Sequence, residues 1–314
     1  MDFEEVKEKL RGAVVSMATP MKENYELDLE GLRKNVRFLL ENGVTSGKAV
    51  LMAVTAAGEC PSLSVEERKV AMKVVAEEAK GKVPLVTSAQ DCNINTIIEL
   101  SNYAAELGYD VVQISQPFYY GPSAQVIYRL FKYLSEKIDI GIMVYNTPWL
   151  SGGFSIDIDL LGKIVDLDNV VSIKWTSADE VCYLEAYKRY ADKVAFLDNT
   201  INPLAAHMLG AKMYLAIPGN FAPKYATKIW ELMEAGKYPE ALKELWRLEI
   251  PWYKWIQEVH AEGVRGEGAI IKSSLEMIGL PAGPARPPYD FKLTPDQKSR
   301  LRKVLVEGGV KVVK

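Results

Sequence analysis

Short apolar runs alternate with longer amphipathic runs up to about residue 235, and the alternation repeats eight times. A brief apolar run bounded by turn residues reads as a buried strand, and apolar positions three and four apart read as one face of a helix. Strands are expected at Ala13–Ala18, Ala49–Val54, Val83–Thr87, Val111–Ile114, Gly141–Tyr145, Val170–Lys174, Val194–Leu197 and Met213–Ile217. Helices are expected between them at Leu29–Leu40, Ser64–Ala79, Asn93–Leu107, Ser123–Lys137, Ile158–Val165, Asp179–Tyr190 and Asn202–Leu209, with Pro223–Glu234 after the last strand. Ser64 with Glu67 three residues on is a capping box. Eight β/α units in a row favour a closed barrel or a large doubly wound sheet. The doubly wound sheet wants a glycine-rich phosphate turn after its first strand, and that turn here is Thr19-Pro20-Met21-Lys22. A (β/α)8 TIM barrel is therefore expected, with its chemistry at the carboxyl ends of the strands.

After Gly236 the pattern is helical only, at Glu240–Glu262, Gly268–Ile278 and Thr294–Leu305, with a proline-stiffened stretch over 279–288. The expected organisation is a barrel domain, 1–235, followed by a C-terminal helical segment, 236–314.

Composition narrows the function classes. The 314 residues carry a net charge of -3 and no basic tract, so nucleic-acid binding has no electrostatic footprint. No apolar run approaches a membrane span, and the acidic start Met1-Asp2-Phe3-Glu4-Glu5 lacks the layout of a signal peptide. Cys60, Cys92 and Cys182 are scattered and odd in number, as reduced thiols in the cytoplasm would be. The expectation is a cytoplasmic protein that acts on small molecules, with neither nucleic acid nor membrane as partner.

The strand ends hold the candidate chemistry. The sixth strand closes on Lys174. Burial disfavours an ammonium, and a neutral lysine is a nucleophile that forms a Schiff base with a carbonyl. Taken alone, the same run also fits a lysine that reaches outward to water. The fifth strand ends in Tyr145-Asn146-Thr147-Pro148. Neighbouring strands lie about 4.8 Å apart, so a phenol and an amine there can sit almost in contact and pass protons. After the second strand, Thr55-Ala56-Ala57-Gly58-Glu59 offers backbone amides for a carboxylate, or is simply a tight turn. The loop Pro117-Phe118-Tyr119-Tyr120-Gly121-Pro122 is aromatic and suits packing or a subunit contact.

Other chemistry is weaker. His207 and His260 are the only histidines, and no grouping has metal-site spacing. Asp157-Ile158-Asp159 falls at a helix start, where capping is the better reading. The glycine-rich stretch 263–268 follows no strand and reads as a turn.

In order, Thr19-Pro20, Gly58-Glu59, the Tyr119-Tyr120 loop, Tyr145-Asn146-x-Pro148, Ile173-Lys174 and the tail Gly279-Leu280-Pro281-x-Gly283-Pro284-x-Arg286-Pro287-Pro288 resemble one family. It is that of the dihydrodipicolinate synthases and N-acetylneuraminate lyases, pyruvate-type class I aldolases, and the resemblance spans essentially the whole chain. It implies a (β/α)8 barrel with a helical C-terminal segment, no cofactor, and a homotetramer built as a dimer of dimers. Lys174 would be the Schiff-base lysine, Tyr145 the proton relay, and Tyr119 a tyrosine lent across the tight dimer interface. The Ala56-Ala57 turn would hold the pyruvate carboxylate, and Leu215, Trp149 and Trp175 join it as substrate-binding positions.

The departures bear on substrate. Two hydroxyl residues usually precede the Gly-Glu pair, and here they are Ala56 and Ala57. The arginine that receives the second substrate's carboxylate in dihydrodipicolinate synthases is replaced by Leu150. Pro148-Trp149-Leu150 and Lys174-Trp175-Thr176-Ser177 are similar to the neuraminate lyase branch, yet of its acidic pair only Asp198 is kept, with Asn199 beside it. The sequence reading is an aldolase-type lyase or synthase joining pyruvate, or another 2-keto acid, to an aldehyde, outside lysine biosynthesis. A dehydratase of 2-keto-3-deoxy sugar acids using the same lysine, and a non-catalytic keto-acid-binding barrel, are the alternatives.

Overall fold

The computed structural model describes residues 1–313. Eight parallel strands close a barrel in chain order: β1 (Gly12–Ser16), β2 (Ala49–Ala53), β3 (Leu85–Ser88), β4 (Val111–Ser115), β5 (Gly141–Tyr145), β6 (Val170–Trp175), β7 (Ala195–Asp198) and β8 (Met213–Leu215). The expected (β/α)8 architecture is the observed one. The strands read as continuous apolar runs because both faces are covered.

The helices are α1 (Phe3–Lys9), α2 (Leu29–Glu41), α3 (Val65–Ala79), α4 (Ile94–Leu107), α5 (Ala124–Ser135), α6 (Ile158–Val165), α7 (Glu180–Tyr190), α8 (Pro203–Met208), α9 (Pro223–Glu234), α10 (Tyr238–Glu244), α11 (Ile250–Ala261), α12 (Glu267–Met277) and α13 (Pro295–Glu307). The Ser64–Glu67 capping box forms, and Asp157 caps α6 by accepting from the Leu160 amide at 2.8 Å. Three elements differ from the sequence expectation. Helix α1 was not anticipated, because its single buried residue, Val6, gives no apolar period. Strand β8 stops at Leu215, and Pro218-Gly219 turns the chain into a 3-10 helix over Ile217–Asn220. The long helix expected over Glu240–Glu262 is interrupted by a π-turn at Leu245–Glu249. Pro251 has no amide hydrogen for the carbonyl four residues back, and widening the turn accommodates its ring.

The chain falls into two compact units, one of residues 1–12 and 84–215, the other of 13–83 and 216 onward. In the first, β3 to β8 pair in parallel, and paired residues share a face. Ser115 pairs with Tyr145, Tyr145 with Lys174, Lys174 with Leu197 and Leu197 with Met213. In the second, Arg33 and Arg37 of α2 meet Glu77 and Glu78 of α3. Asn35 of α2 donates to the Pro281 carbonyl at 2.8 Å, tying the 279–288 stretch down. Trp252 and Trp255 are core residues, bonded to Ser274 and to the Gln297 carbonyl. No helix among the described residues is long and apolar enough to cross a membrane.

Candidate active site

Lys174 owes its direction to an irregularity in the sheet. Ile142 pairs with Val170, but Met143 pairs with Ser172, so β6 carries one extra residue, Val171. A slip of one residue exchanges the two faces of a strand. Without the bulge Ile173 would stand beside Tyr145; with it, Lys174 does. Gly141 makes room, since a Cβ there would lie 2.7 Å from the Val171 side chain.

Lys174 is 6% exposed, and its Nζ lies over the Tyr145 ring, 4.1 Å from the centroid. An ammonium over a desolvated aromatic face is held by the ring quadrupole. Trp149 meets Tyr145 edge-on at 5.9 Å and is 57% exposed. Leu150 beside it is also exposed. Asn146 carries no role in the expectation from sequence. It is fully buried, donates to Ser155 Oγ at 3.0 Å and the Thr176 carbonyl at 2.8 Å, and accepts from the Ile156 amide. It thereby fixes the loop after β5 to the end of β6. A polar residue straight after a buried strand was the available signal, because a buried amide demands partners.

Trp175 requires a correction. It is expected among the substrate-binding positions, but its exposure is 0% and its indole donates toward the Tyr183 carbonyl of α7 while stacking edge-on with Phe196. Side chains alternate along a strand, so the residue after an inward lysine points into the helix layer. Asp198, its register partner, faces α7 likewise. The Asp198 carboxylate accepts from Tyr183 at 2.8 Å and from Thr200, and burial pushes its pKa above the usual carboxylate range. Leu215 ends β8 half-buried, two residues after Met213 and so on the same face. Tyr119 is 77% exposed, edge-on to Tyr120 at 5.2 Å.

In the other unit, the turn after β2 is buried apart from Ala56. Its carbonyls are used: Ala56 accepts from the Glu59 amide and Thr55 from the Cys60 amide. The amides of Ala56, Ala57 and Gly58 donate to nothing among the described residues. Gly58 is required here, since a Cβ would stand 2.9 Å from Thr19 Oγ1 and 3.1 Å from the Met17 carbonyl. Val54 and Glu59 flank the turn with positive φ, +52° and +59°. For β-branched Val54 that is a strained conformation. Ala56 and Ala57 leave this turn without the hydroxyls expected at those two positions. Yet Thr55, one residue earlier, carries a buried hydroxyl bonded to Ser16. Among the described residues, no group of His, Cys, Asp and Glu could hold a metal ion.

Three successive free amides suit an anion, and a buried lysine beside a tyrosine suits imine chemistry. Comparison with known proteins gives the family. The family model described as dihydrodipicolinate synthetase family matches residues 9–307. A 4-hydroxy-tetrahydrodipicolinate synthase of Methanothrix thermoacetophila is 28% identical over 95% of this chain and 96% of its own. An N-acetylneuraminate lyase of Pasteurella multocida is 28% identical over 92% of this chain and 94% of its own. Among solved structures, a monomeric dihydrodipicolinate synthase variant superposes with a TM-score of 0.85 at 26% identity, over 97% of this chain and 99% of that one.

Proposed function

This chain belongs to the dihydrodipicolinate synthetase family, and from that premise we propose that it joins pyruvate, or a related 2-keto acid, to an uncharged aldehyde through a Schiff base on Lys174. That it is a class I aldolase-type lyase follows from the family and its relatives. The choice of lysine and of acceptor is the proposal. The observation that carries it is Lys174 Nζ buried over the Tyr145 ring at 4.1 Å.

In this reading Nζ adds to C2 of the keto acid, and the carbinolamine oxygen leaves as water after taking a proton by way of Tyr145. Loss of a C3 proton gives the enamine. Its C3 attacks the aldehyde carbon, the aldehyde oxygen takes a proton, and water returning to C2 frees Lys174. Cleavage is the same sequence reversed. The free amides of Ala56, Ala57 and Gly58 are assigned to the keto-acid carboxylate, and Leu215 to the wall about it. Trp149 and Leu150 are assigned to the acceptor, where a leucine in place of an arginine argues against an anionic aldehyde and so against lysine biosynthesis. The relatives named as dihydrodipicolinate synthases are the standing argument on the other side.

Tyr119 and Tyr120, 77% and 81% exposed, support a homotetramer in which Tyr119 is lent to a neighbouring copy. The free cysteines fit a cytoplasmic setting.

Borohydride reduction in the presence of pyruvate tests the assignment. A stable adduct is expected on the peptide containing Lys174, and none in Lys174→Ala. An adduct on another lysine, or none with any 2-keto acid, overturns it.

A further inference from the structure

We propose that Glu59 and Lys272 are positioning residues that set the free amides of the β2 turn for the keto-acid carboxylate. The inference rests on the reading just given, which assigns that turn to the carboxylate. It adds that the C-terminal helical segment builds the turn's binding geometry.

Glu59 closes the turn with its backbone in the left-handed region, φ +59°. Its side chain is buried, and the partners of both carboxylate oxygens come from beyond residue 260. Lys272 of α12, itself buried, forms an ion pair with one carboxylate oxygen. The Arg286 amide donates to the other at 2.9 Å. Gly268, in the first turn of α12, packs so closely that a Cβ would lie 2.6 Å from the carboxyl carbon. A carboxylate against the first turn of a helix is favoured by the helix dipole. Lys272 also donates to the Pro284 carbonyl at 2.8 Å. The Arg286 side chain reaches the Ser62 and Tyr25 carbonyls and clasps Glu67 with both terminal nitrogens.

The consequence for the turn follows from its own bonds. The amide of Glu59 closes on Ala56, and that of Cys60 on Thr55. Wherever Glu59 is held, the three unbonded amides between Thr55 and Glu59 are held with it. Amides aimed in advance bind an anion without first being ordered. A buried ion pair is a poor source of net stability, so its presence under this turn calls for another explanation. Positioning supplies one. Nothing in the pair touches the reacting atoms, so loss of either partner should weaken keto-acid binding and spare the imine step.

The test compares pyruvate with acetone, a ketone that lacks the carboxylate, by borohydride trapping on Lys174 across ketone concentrations. In Lys272→Met the half-saturating pyruvate concentration should rise at least roughly tenfold, with the maximal trapping rate within about threefold of wild type. Acetone trapping should be unchanged. Glu59→Gln/Lys272→Met leaves no buried charge and keeps an acceptor for Arg286, so pyruvate affinity should largely return. Should Lys272→Met not fold, Gly268→Ala displaces the Glu59 carboxyl with both charges kept, and the same selective loss of pyruvate is expected. Equal losses for pyruvate and acetone, or unchanged pyruvate saturation, overturn the proposal. A wild-type protein that traps neither ketone on Lys174 overturns the functional reading itself, and this inference with it.

Discussion

Two buried lysines end closely similar stretches, Val171-Ser172-Ile173-Lys174 and Ala269-Ile270-Ile271-Lys272. Their surroundings have almost nothing in common. Lys174 stands at the end of a strand over an aromatic face. Lys272 stands in a helix, against the Glu59 carboxylate and the Pro284 carbonyl. Burial presses the Lys272 pKa below the ordinary lysine range, and Glu59 opposes it. Desolvation thus does not make a nucleophile by itself. Lys272 spends its donors on a carboxylate and a carbonyl that fix it in place. Lys174 has the aromatic face of Tyr145 against its nitrogen, which stabilises positive charge.

The largest effect that would sharpen this contrast is the loss of the Tyr145 phenol. Tyr145→Phe keeps the ring beneath Lys174 and removes the hydroxyl. Turnover should fall by about 10²–10⁴-fold, the usual share of a general acid–base group. Borohydride trapping should still label Lys174. Steady-state rates with pyruvate and any accepted aldehyde provide the measurement, and unchanged turnover would leave Tyr145 as a packing ring only.

A second measurement sets the two lysines against each other in stability. Lys272→Met strands the Glu59 carboxylate in a buried site, and breaking such a pair costs about 3–5 kcal/mol. Lys174→Ala leaves the Glu59 carboxylate paired and should shift stability by about 1 kcal/mol, the usual size for a single substitution. Urea midpoints at neutral pH compare them directly. Equal shifts would abolish the distinction between a structural and a chemical lysine.

How much of this was legible follows from how far apart the determining contacts lie. The eight strands and the capped helices announce themselves locally, because period and capping residues act within one or two turns. Lys174 beside Tyr145 was legible from two strand ends, although the bulge at Val171 that puts them side by side was not. Trp175 follows Lys174 directly in sequence, but the strand's period of two turns it to the other face. The Glu59 clamp could not be read at all. Its contact with Arg286 spans 227 residues, and nothing near Glu59 marks it as buried. The hydroxyl of Thr55 was in plain view but one position upstream of where the family keeps its own.

The smallest expected effect concerns the acceptor, and it asks what the Lys174 end of the comparison is for. Two positions that the resemblance assigns to recognition of a polyol or an acidic aldehyde are engaged or replaced. Asp198 is turned to α7 and bonded to Tyr183 and Thr200, and Leu150 stands where the resemblance would place a carboxylate-binding arginine. What remains exposed beside Tyr145 is Trp149. Burying an unpaired carboxylate against such a surface costs several kcal/mol, at the upper end of the range for polar groups, whereas an uncharged or aromatic aldehyde gains contact with the indole. Even partial burial should leave at least roughly a tenfold difference, which corresponds to about 1.4 kcal/mol. We therefore expect kcat/KM for uncharged aldehydes to exceed that for aspartate semialdehyde by at least that factor, and Leu150→Arg to narrow the gap. If wild-type protein turns over aspartate semialdehyde best, the acceptor assignment fails, and the Schiff base on Lys174 then serves lysine biosynthesis.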